Sequence, residues 1–187
     1  MERYFRLVRI LSRGPVLLVF MALYLLFVLA VMPGLAGPEG SVPPIDLAFH
    51  YTVVEVYGWI EAYGPAGRQR YMMGEMTLDV VYPIIYTCLF VGLIGYFLGM
   101  NEPSGDQEES MAGWIQNLVL LPPVIFLFDM LENTGIVTML SNYPEVLAEV
   151  AGLTAWATSI KWSFAALVIA VTLLLAIRKV VITIRHR

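Results

Sequence analysis

The chain has 187 residues, of which 59% are hydrophobic and 14% are charged, and its formal net charge is -4. A soluble domain of this length needs more polar residues to cover its surface, so the composition excludes the soluble class and predicts a membrane protein. A single cysteine, Cys88, excludes a disulfide framework and any redox site built from two cysteines.

Sequence motifs for common cofactors are absent. The chain has no Cys and His spacing typical of zinc, no glycine-rich phosphate loop, and no basic and aromatic pattern typical of nucleic-acid binding. We therefore expect no metal, no cofactor and no nucleic-acid partner.

The first apolar stretch, residues 15–33, predicts a transmembrane helix. It is longer than the apolar core of a signal peptide and no clear A-x-A cleavage site follows it, so we expect it to be retained. Basic residues flank the apolar part of the chain, with Arg3, Arg6, Arg9 and Arg13 before it and Arg178, Lys179, Arg185 and Arg187 after it. By the positive-inside rule, this pattern predicts a multi-pass integral membrane protein with both termini in the cytoplasm, and we expect it in a bacterial inner membrane.

The connection over residues 34–76 contains a second helical pattern. Its apolar residues Phe49, Val53, Val56 and Ile60 recur at helical spacing, while most of its charged residues fall on other faces. This predicts an amphipathic helix on the outer membrane surface. The sequence GPAG at 64–67 ends the pattern, and a new helix is expected to start near Arg68.

Three further apolar stretches, residues 78–100, 113–140 and 150–177, complete four predicted spans. Residues 1–187 therefore predict one all-α transmembrane domain, a four-helix bundle with the amphipathic helix between its first and second spans. Gly95 and Gly99 form a small-residue edge typical of close helix packing, which predicts a homodimer.

Ionisable residues interrupt three of these spans. Asp79 lies in the second, Asp129 and Glu132 lie near the end of the third, and Lys161 lies roughly 16 Å into the fourth by helical rise. The predicted topology places all four in the outer half of the membrane. Because an ionised group at mid-membrane costs about 2.5–3.5 kcal/mol, we expect them to face one another and to act as the catalytic groups of a site.

Polar and aromatic residues at the same level are the predicted ligand-binding residues of this site, because an apolar surrounding with a few convergent polar groups is typical of ligand sites. They are Asn133, Tyr82, Tyr86, Phe126, Thr158 and Trp162.

The predicted charges do not balance, since three acids meet one lysine. Three explanations stay open: the acids share a proton, Arg68 or Arg70 folds into the site, or a cationic partner completes it. By position, Glu75, Arg68 and Arg70 are expected in solvent or at the level of the lipid headgroups.

Three functions fit this pattern. The first is a site that binds a membrane lipid or amphiphilic small molecule and transforms it by proton transfer, for example by isomerisation. The second is a proton- or cation-coupled small carrier that works as a dimer. The third is a structural or assembly subunit whose buried polar residues hold a partner helix.

The outline resembles the EXPERA superfamily, the sterol isomerase and sigma-receptor type of membrane protein. The likeness consists of the length, the four spans, the amphipathic segment, the basic tail, and Asp79 one turn before Pro83 in LDVVYP. It implies an intramembrane site in which acids meet a lipophilic amine, or a sterol. That family's histidine-containing isomerase site has no counterpart in this chain. The FDMLEN segment at 128–133 also resembles segments of uncharacterised bacterial four-helix proteins, which implies no function.

Overall fold

The computed structural model describes residues 1–31, 42–100 and 113–185, and within these ranges the chain is helical and contains no β-strand. The helices are α1 (Glu2–Leu11), α2 (Gly14–Leu26), α3 (Val53–Ala62), α4 (Gly64–Phe97), α5 (Leu121–Asn142) and α6 (Ala148–Arg185). A π-helical turn, Phe27–Val31, continues α2, and a short helix with a 3-10 turn, Gly113–Leu120, leads into α5.

Four helical segments are long and apolar enough to cross a membrane, which confirms that part of the prediction. They are Gly14–Val31, Gly64–Phe97, Asn117–Asn142 and Ala148–Arg185. The helix of the second segment begins at Gly64, before the apolar stretch 78–100 and close to the expected helix start near Arg68. The last two residues of the predicted first span, 32 and 33, lie outside the described residues.

The start of α4 follows from its first residues. Gly64 has a φ of +64°, a conformation that glycine adopts without steric cost, and Pro65 occupies the first turn, where its missing N–H is not needed. The break predicted at GPAG is therefore present, but the new helix begins at Gly64 rather than near Arg68. This early start adds about one turn to α4 on the side where α5 ends and α6 begins.

The short helix α3 packs on that same end. Val56, Tyr57 and Ile60 are buried in one apolar cluster with Ile136 of α5 and Ala155 of α6. Phe49, which the predicted stripe included, precedes the helix and is exposed. The burial of Val56 and Ile60 fits the predicted apolar face, whereas the position of α3 on a membrane surface stays a prediction.

A capping box starts α3. The Thr52 side chain accepts a hydrogen bond from the backbone N–H of Glu55 at 3.3 Å, and the Glu55 carboxylate accepts one from the backbone N–H of Thr52 at 2.8 Å. Backbone and side-chain hydrogen bonds from Thr52 hold the pKa of Glu55 below its usual value. The contribution of Glu55 to stability is therefore present above the pKa it has in the unfolded chain and is lost as the pH falls through its lowered folded pKa.

Replacing Thr52 with alanine should weaken α3 locally by about 1 kcal/mol, the usual loss for a missing N-cap. Hydrogen exchange measured by mass spectrometry should show faster exchange in the first turn of α3 and no change in α5. Thr134→Ala is the matched control, since the Thr134 hydroxyl donates only to the carbonyl of Met130 inside a helix. Equal exchange of α3 in the Thr52 variant and the parent would contradict the cap.

Glycines let the helices approach closely at two places. At one end of α4, a Cβ on Gly92 would lie 2.6 Å from the carbonyl oxygen of Leu11, and one on Gly95 would collide with Ser12 and lie 2.8 Å from a methyl carbon of Val8. This glycine edge therefore packs against α1 of the same chain. The homodimer through Gly95 and Gly99 stays a prediction, and Gly95 offers no free surface for it.

The second close approach is between α5 and α6. A Cβ on Gly135 would collide with the hydroxyl of Thr154 and lie 2.9 Å from its Cβ. The absence of a side chain at Gly135 lets α5 and α6 run against each other immediately beside the residues of the candidate site.

Candidate functional site

The predicted lysine lies at the centre of the site. Lys161 of α6 is 8% exposed, and its ammonium group forms an ion pair with Glu132 and lies 3.5 Å from Oδ1 of Asp129. Asp129 and Glu132 come from α5, where a spacing of three residues places both side chains on one face. We call Asp129, Glu132 and Lys161 the acid–lysine cluster.

Each carboxylate of the cluster also accepts a hydrogen bond from a hydroxyl group. The Tyr86 hydroxyl of α4 donates to Oδ2 of Asp129 at 2.6 Å, and the Thr158 hydroxyl of α6 donates to Oε1 of Glu132 at 2.6 Å. Glu132 is 0% exposed. Two helices, α4 and α6, therefore supply partners to the two carboxylates of α5.

Asn133 and Asp79, predicted as a ligand-binding and a catalytic residue, are joined by a hydrogen bond between helices. The Asn133 amide donates to the backbone carbonyl of Asp79 at 2.6 Å, which ties α5 to α4. The Asp79 residue itself is only half-buried. Asn133 therefore has a clear packing role, and its role as a ligand-binding residue stays a prediction.

The predicted aromatic residues do not all reach the cluster. The Tyr82 ring stacks on Tyr24 and Phe27, with ring centroids 5.9 and 5.1 Å apart, and meets Tyr86 edge-on at 5.3 Å. Tyr82 thus links the first span to the tyrosine that contacts Asp129. Phe126 is half-buried on α5.

The connecting segment, residues 42–52, reaches the cluster, which the sequence pattern did not indicate. The backbone carbonyl of Asp46 accepts hydrogen bonds from the Lys161 ammonium at 3.4 Å and from the Trp162 indole at 3.1 Å. The Tyr71 hydroxyl of α4 donates to the Asp46 carboxylate at 2.5 Å. Further along, Ser159 donates to the carbonyl of Phe49 at 2.9 Å. The segment therefore runs along α6 and covers the cluster on that side.

Glu75, which was expected in solvent or at the level of the headgroups, is buried within the protein. It is 2% exposed, and within the described residues neither of its carboxylate oxygens has a hydrogen-bond partner. It lies one turn before Asp79 on the same stripe of α4 as Tyr86. The helical spacing of Glu75, Asp79 and Tyr86 was the available signal, but Glu75 was still expected outside the site because it precedes the apolar stretch 78–100.

The two arginines do not balance the acids. Arg68 donates to the backbone carbonyl of Ile60 at 3.1 Å, and its guanidinium group stacks 4.2 Å from the centre of the Tyr143 ring. Arg70 is exposed. The explanation in which one of them folds into the site is therefore wrong, whereas a shared proton and a cationic partner both stay open.

The arrangement gives a small polar centre with a negative excess. Within the described part of the chain, the buried acidic and basic side chains are those of Glu75, Asp129, Glu132 and Lys161. The same part of the chain contains no group of three or more His, Cys, Asp or Glu side chains placed to hold a metal ion. Carboxylates and hydroxyls in this geometry can hold and pass protons and can accept hydrogen bonds from a cationic or polyhydroxylated group.

No protein-family model, curated protein or solved structure matches the chain. The resemblance to the EXPERA superfamily stays a prediction, and the function is argued below from the site alone.

Proposed function

We propose that the protein binds a lipid-like or amphiphilic molecule at the acid–lysine cluster, within the membrane. The observation that carries this proposal is the imbalance of buried charge. Glu75, Asp129 and Glu132 are buried against one buried lysine, and that lysine is already engaged by two of them. A site that keeps an unmatched carboxyl group away from water favours a partner that exchanges hydrogen bonds with that group.

Helix association alone gives no reason for this imbalance. The contact of Gly135 with Thr154 and the hydrogen bond from Asn133 to Asp79 already join α4, α5 and α6. Interhelical hydrogen bonds in membranes contribute only about 0.6 kcal/mol on average, whereas an ionisable group at mid-membrane costs about 2.5–3.5 kcal/mol. Neutral contacts alone would therefore stabilise a purely structural subunit better than buried ionisable groups would.

The carboxyl groups of the cluster and the aromatic rings beside it suggest a ligand with a polar end and an apolar body. The polar end of the molecule would meet the carboxyl groups, while its apolar body would lie along the stacked rings of Tyr24, Phe27 and Tyr82, next to Tyr86. A redox-neutral proton transfer, such as an isomerisation, is the reaction that this set of donors and acceptors would support.

Mass spectrometry of co-extracted lipid tests the proposal. The parent protein, purified in mild detergent, should carry a bound species that Asp129→Asn and Glu132→Gln lose while their helix content is retained. Glu149→Gln is the matched control, because Glu149 is exposed at the start of α6, and this variant should keep the species.

Two results would overturn the proposal. The first is a parent protein with no bound species whose cluster variants unfold, which would favour the structural role. The second is proton uptake into liposomes loaded with a pH-sensitive dye that Asp129→Asn abolishes, again with no bound species, which would favour the carrier.

A further inference from the structure

Glu75 is a buried acid that does not belong to the acid–lysine cluster. It is 2% exposed, and both of its carboxylate oxygens lack a hydrogen-bond partner among the described residues. Asp129 and Glu132, by contrast, each have a lysine and a hydroxyl. Glu75 is therefore the one buried acid in the described ranges whose carboxylate has neither a hydrogen bond nor an ion pair.

The surroundings of Glu75 are predominantly negative. Asp46 of the connecting segment, Asp79 of α4 and Glu132 of α5 act on it with negative charge, and Lys161 of α6 acts on it with positive charge. Lys161 is already paired with Glu132 and Asp129. Among the described residues, the phenols of Tyr51, Tyr63 and Tyr71 also lie close enough to interact electrostatically with Glu75.

An ionised carboxylate in this position would be desolvated, would lack a donor, and would be repelled by three other acids. A neutral carboxyl group avoids both the desolvation of the charge and the repulsion, and leaves only an unpaired O–H and C=O. Such a group is a hydrogen-bond donor, which an ionised acid is not.

We propose that Glu75 is a proton-binding site of this protein, with its carboxyl group protonated at neutral pH and available as a hydrogen-bond or proton donor to a molecule held at the cluster. The protonation itself stands on the burial and the contacts of Glu75. The role toward a bound molecule rests on the function proposed above, and it divides the acids into two sets. Asp129 and Glu132 are ionised partners of Lys161, and Glu75 is the donor.

Infrared spectroscopy of the purified, full-length protein tests the protonation without any ligand, because a protonated carboxyl group absorbs separately from carboxylates. At neutral pH the parent should show a protonated carboxyl band that shifts in D₂O. Glu75→Gln should lose this band and keep its melting temperature, since the replacement is neutral and of nearly the same shape. The control Glu145→Gln, at an exposed position, should keep the band.

Isotope labelling, applied to both the parent and Glu132→Gln, keeps the test decisive where Glu75→Gln does not fold. Glu75 and Glu132 are the buried glutamates of the described residues, and the Glu75 band should persist in Glu132→Gln. In the parent protein labelled with ¹³C at the glutamate carboxyl group, the band should move to the frequency of the labelled carbonyl. A parent without a protonated carboxyl band, or a band that does not move with glutamate labelling, would overturn the proposal. The lipid-binding proposal is judged separately, since a parent that shows the band but carries no bound species contradicts that proposal and leaves the protonation standing.

Discussion

Replacing Lys161 with methionine should destabilise the protein by about 3–5 kcal/mol, the usual loss when one partner of a buried ion pair is removed. The reason is that Asp129 and Glu132 would both remain buried without the cation that faces them. The measurement is reversible unfolding in mixed micelles, followed by circular dichroism as the denaturing detergent increases.

Two controls separate this effect from a general loss of a lysine. Lys179→Met removes a side chain that donates to the carbonyl of Tyr96 at 3.1 Å and stacks on its ring, so it should cost only about 1 kcal/mol. Combining Lys161→Met with Asp129→Asn and Glu132→Gln removes all three charges and should restore most of the lost stability. An unchanged unfolding midpoint in Lys161→Met alone would show that the three side chains are not paired.

Replacing Gly135 with alanine should destabilise the protein by about 1–3 kcal/mol, the usual cost of adding volume to a packed interface. The added Cβ would meet the Thr154 side chain, which is held in place because its hydroxyl donates to the carbonyl of Val150 at 2.7 Å. To accommodate it, α5 and α6 must separate beside the acid–lysine cluster, so the variant should also lose any bound lipid. The same unfolding measurement and the lipid analysis test both consequences.

A glycine without this contact provides the matched control. Nothing lies within 4 Å of a Cβ built on Gly152 in α6, so Gly152→Ala should be neutral or stabilising by up to about 1 kcal/mol through helix propensity. Adding Thr154→Ala to the Gly135 variant should recover part of the lost stability, because it removes the hydroxyl and methyl groups that the new Cβ would meet. Equal stability of the two glycine variants would rule out the close approach.

The main part of the site follows from helical phase. Asp129, Glu132 and Asn133 share a face because of their spacing, and Lys161 lies too far from the start of α6 to reach solvent easily. The cost of isolated charge in an apolar span then requires these groups to meet, and they do. Periodicity and charge together were therefore sufficient for the cluster.

Two parts of the site could not be predicted from periodicity and charge. Glu75 was expected in solvent or among the headgroups because it precedes the apolar stretch 78–100, although the helix predicted from near Arg68 already included it, and its burial does not follow from that helix alone. Asp46 contributes through its backbone carbonyl in a short 3-10 turn, and no side-chain pattern indicates such a contact. Both depend on how a nonperiodic connection folds back onto helices that are distant in sequence.

The small-residue edge, Gly95 and Gly99, shows that a sequence pattern can predict close packing without identifying the packing partner. Gly95 packs closely, as its place in the small-residue edge predicts, whereas Gly99 lies beyond the end of α4 with a φ of +76°. The spacing of the two glycines does not say whether the neighbour belongs to the same chain or to another. At Gly95 the neighbour is α1, through Val8 and Ser12. The sequence pattern is identical in the two cases, so only the tertiary contact distinguishes them.

The pairing of Lys161 with the acids of α5 is tested most directly by a distance measured in the membrane. Magic-angle spinning NMR on protein in lipid bilayers, with ¹⁵N at the lysine Nζ atoms and ¹³C at the aspartate and glutamate carboxyl groups, reports which carboxyl carbons lie next to each ammonium group. We expect strong dipolar coupling from the Lys161 nitrogen to two carboxyl carbons, one lost in Glu132→Gln and the other in Asp129→Asn. A Lys161 nitrogen without a nearby carboxyl carbon would contradict the convergence of these side chains, and with it the proposed site.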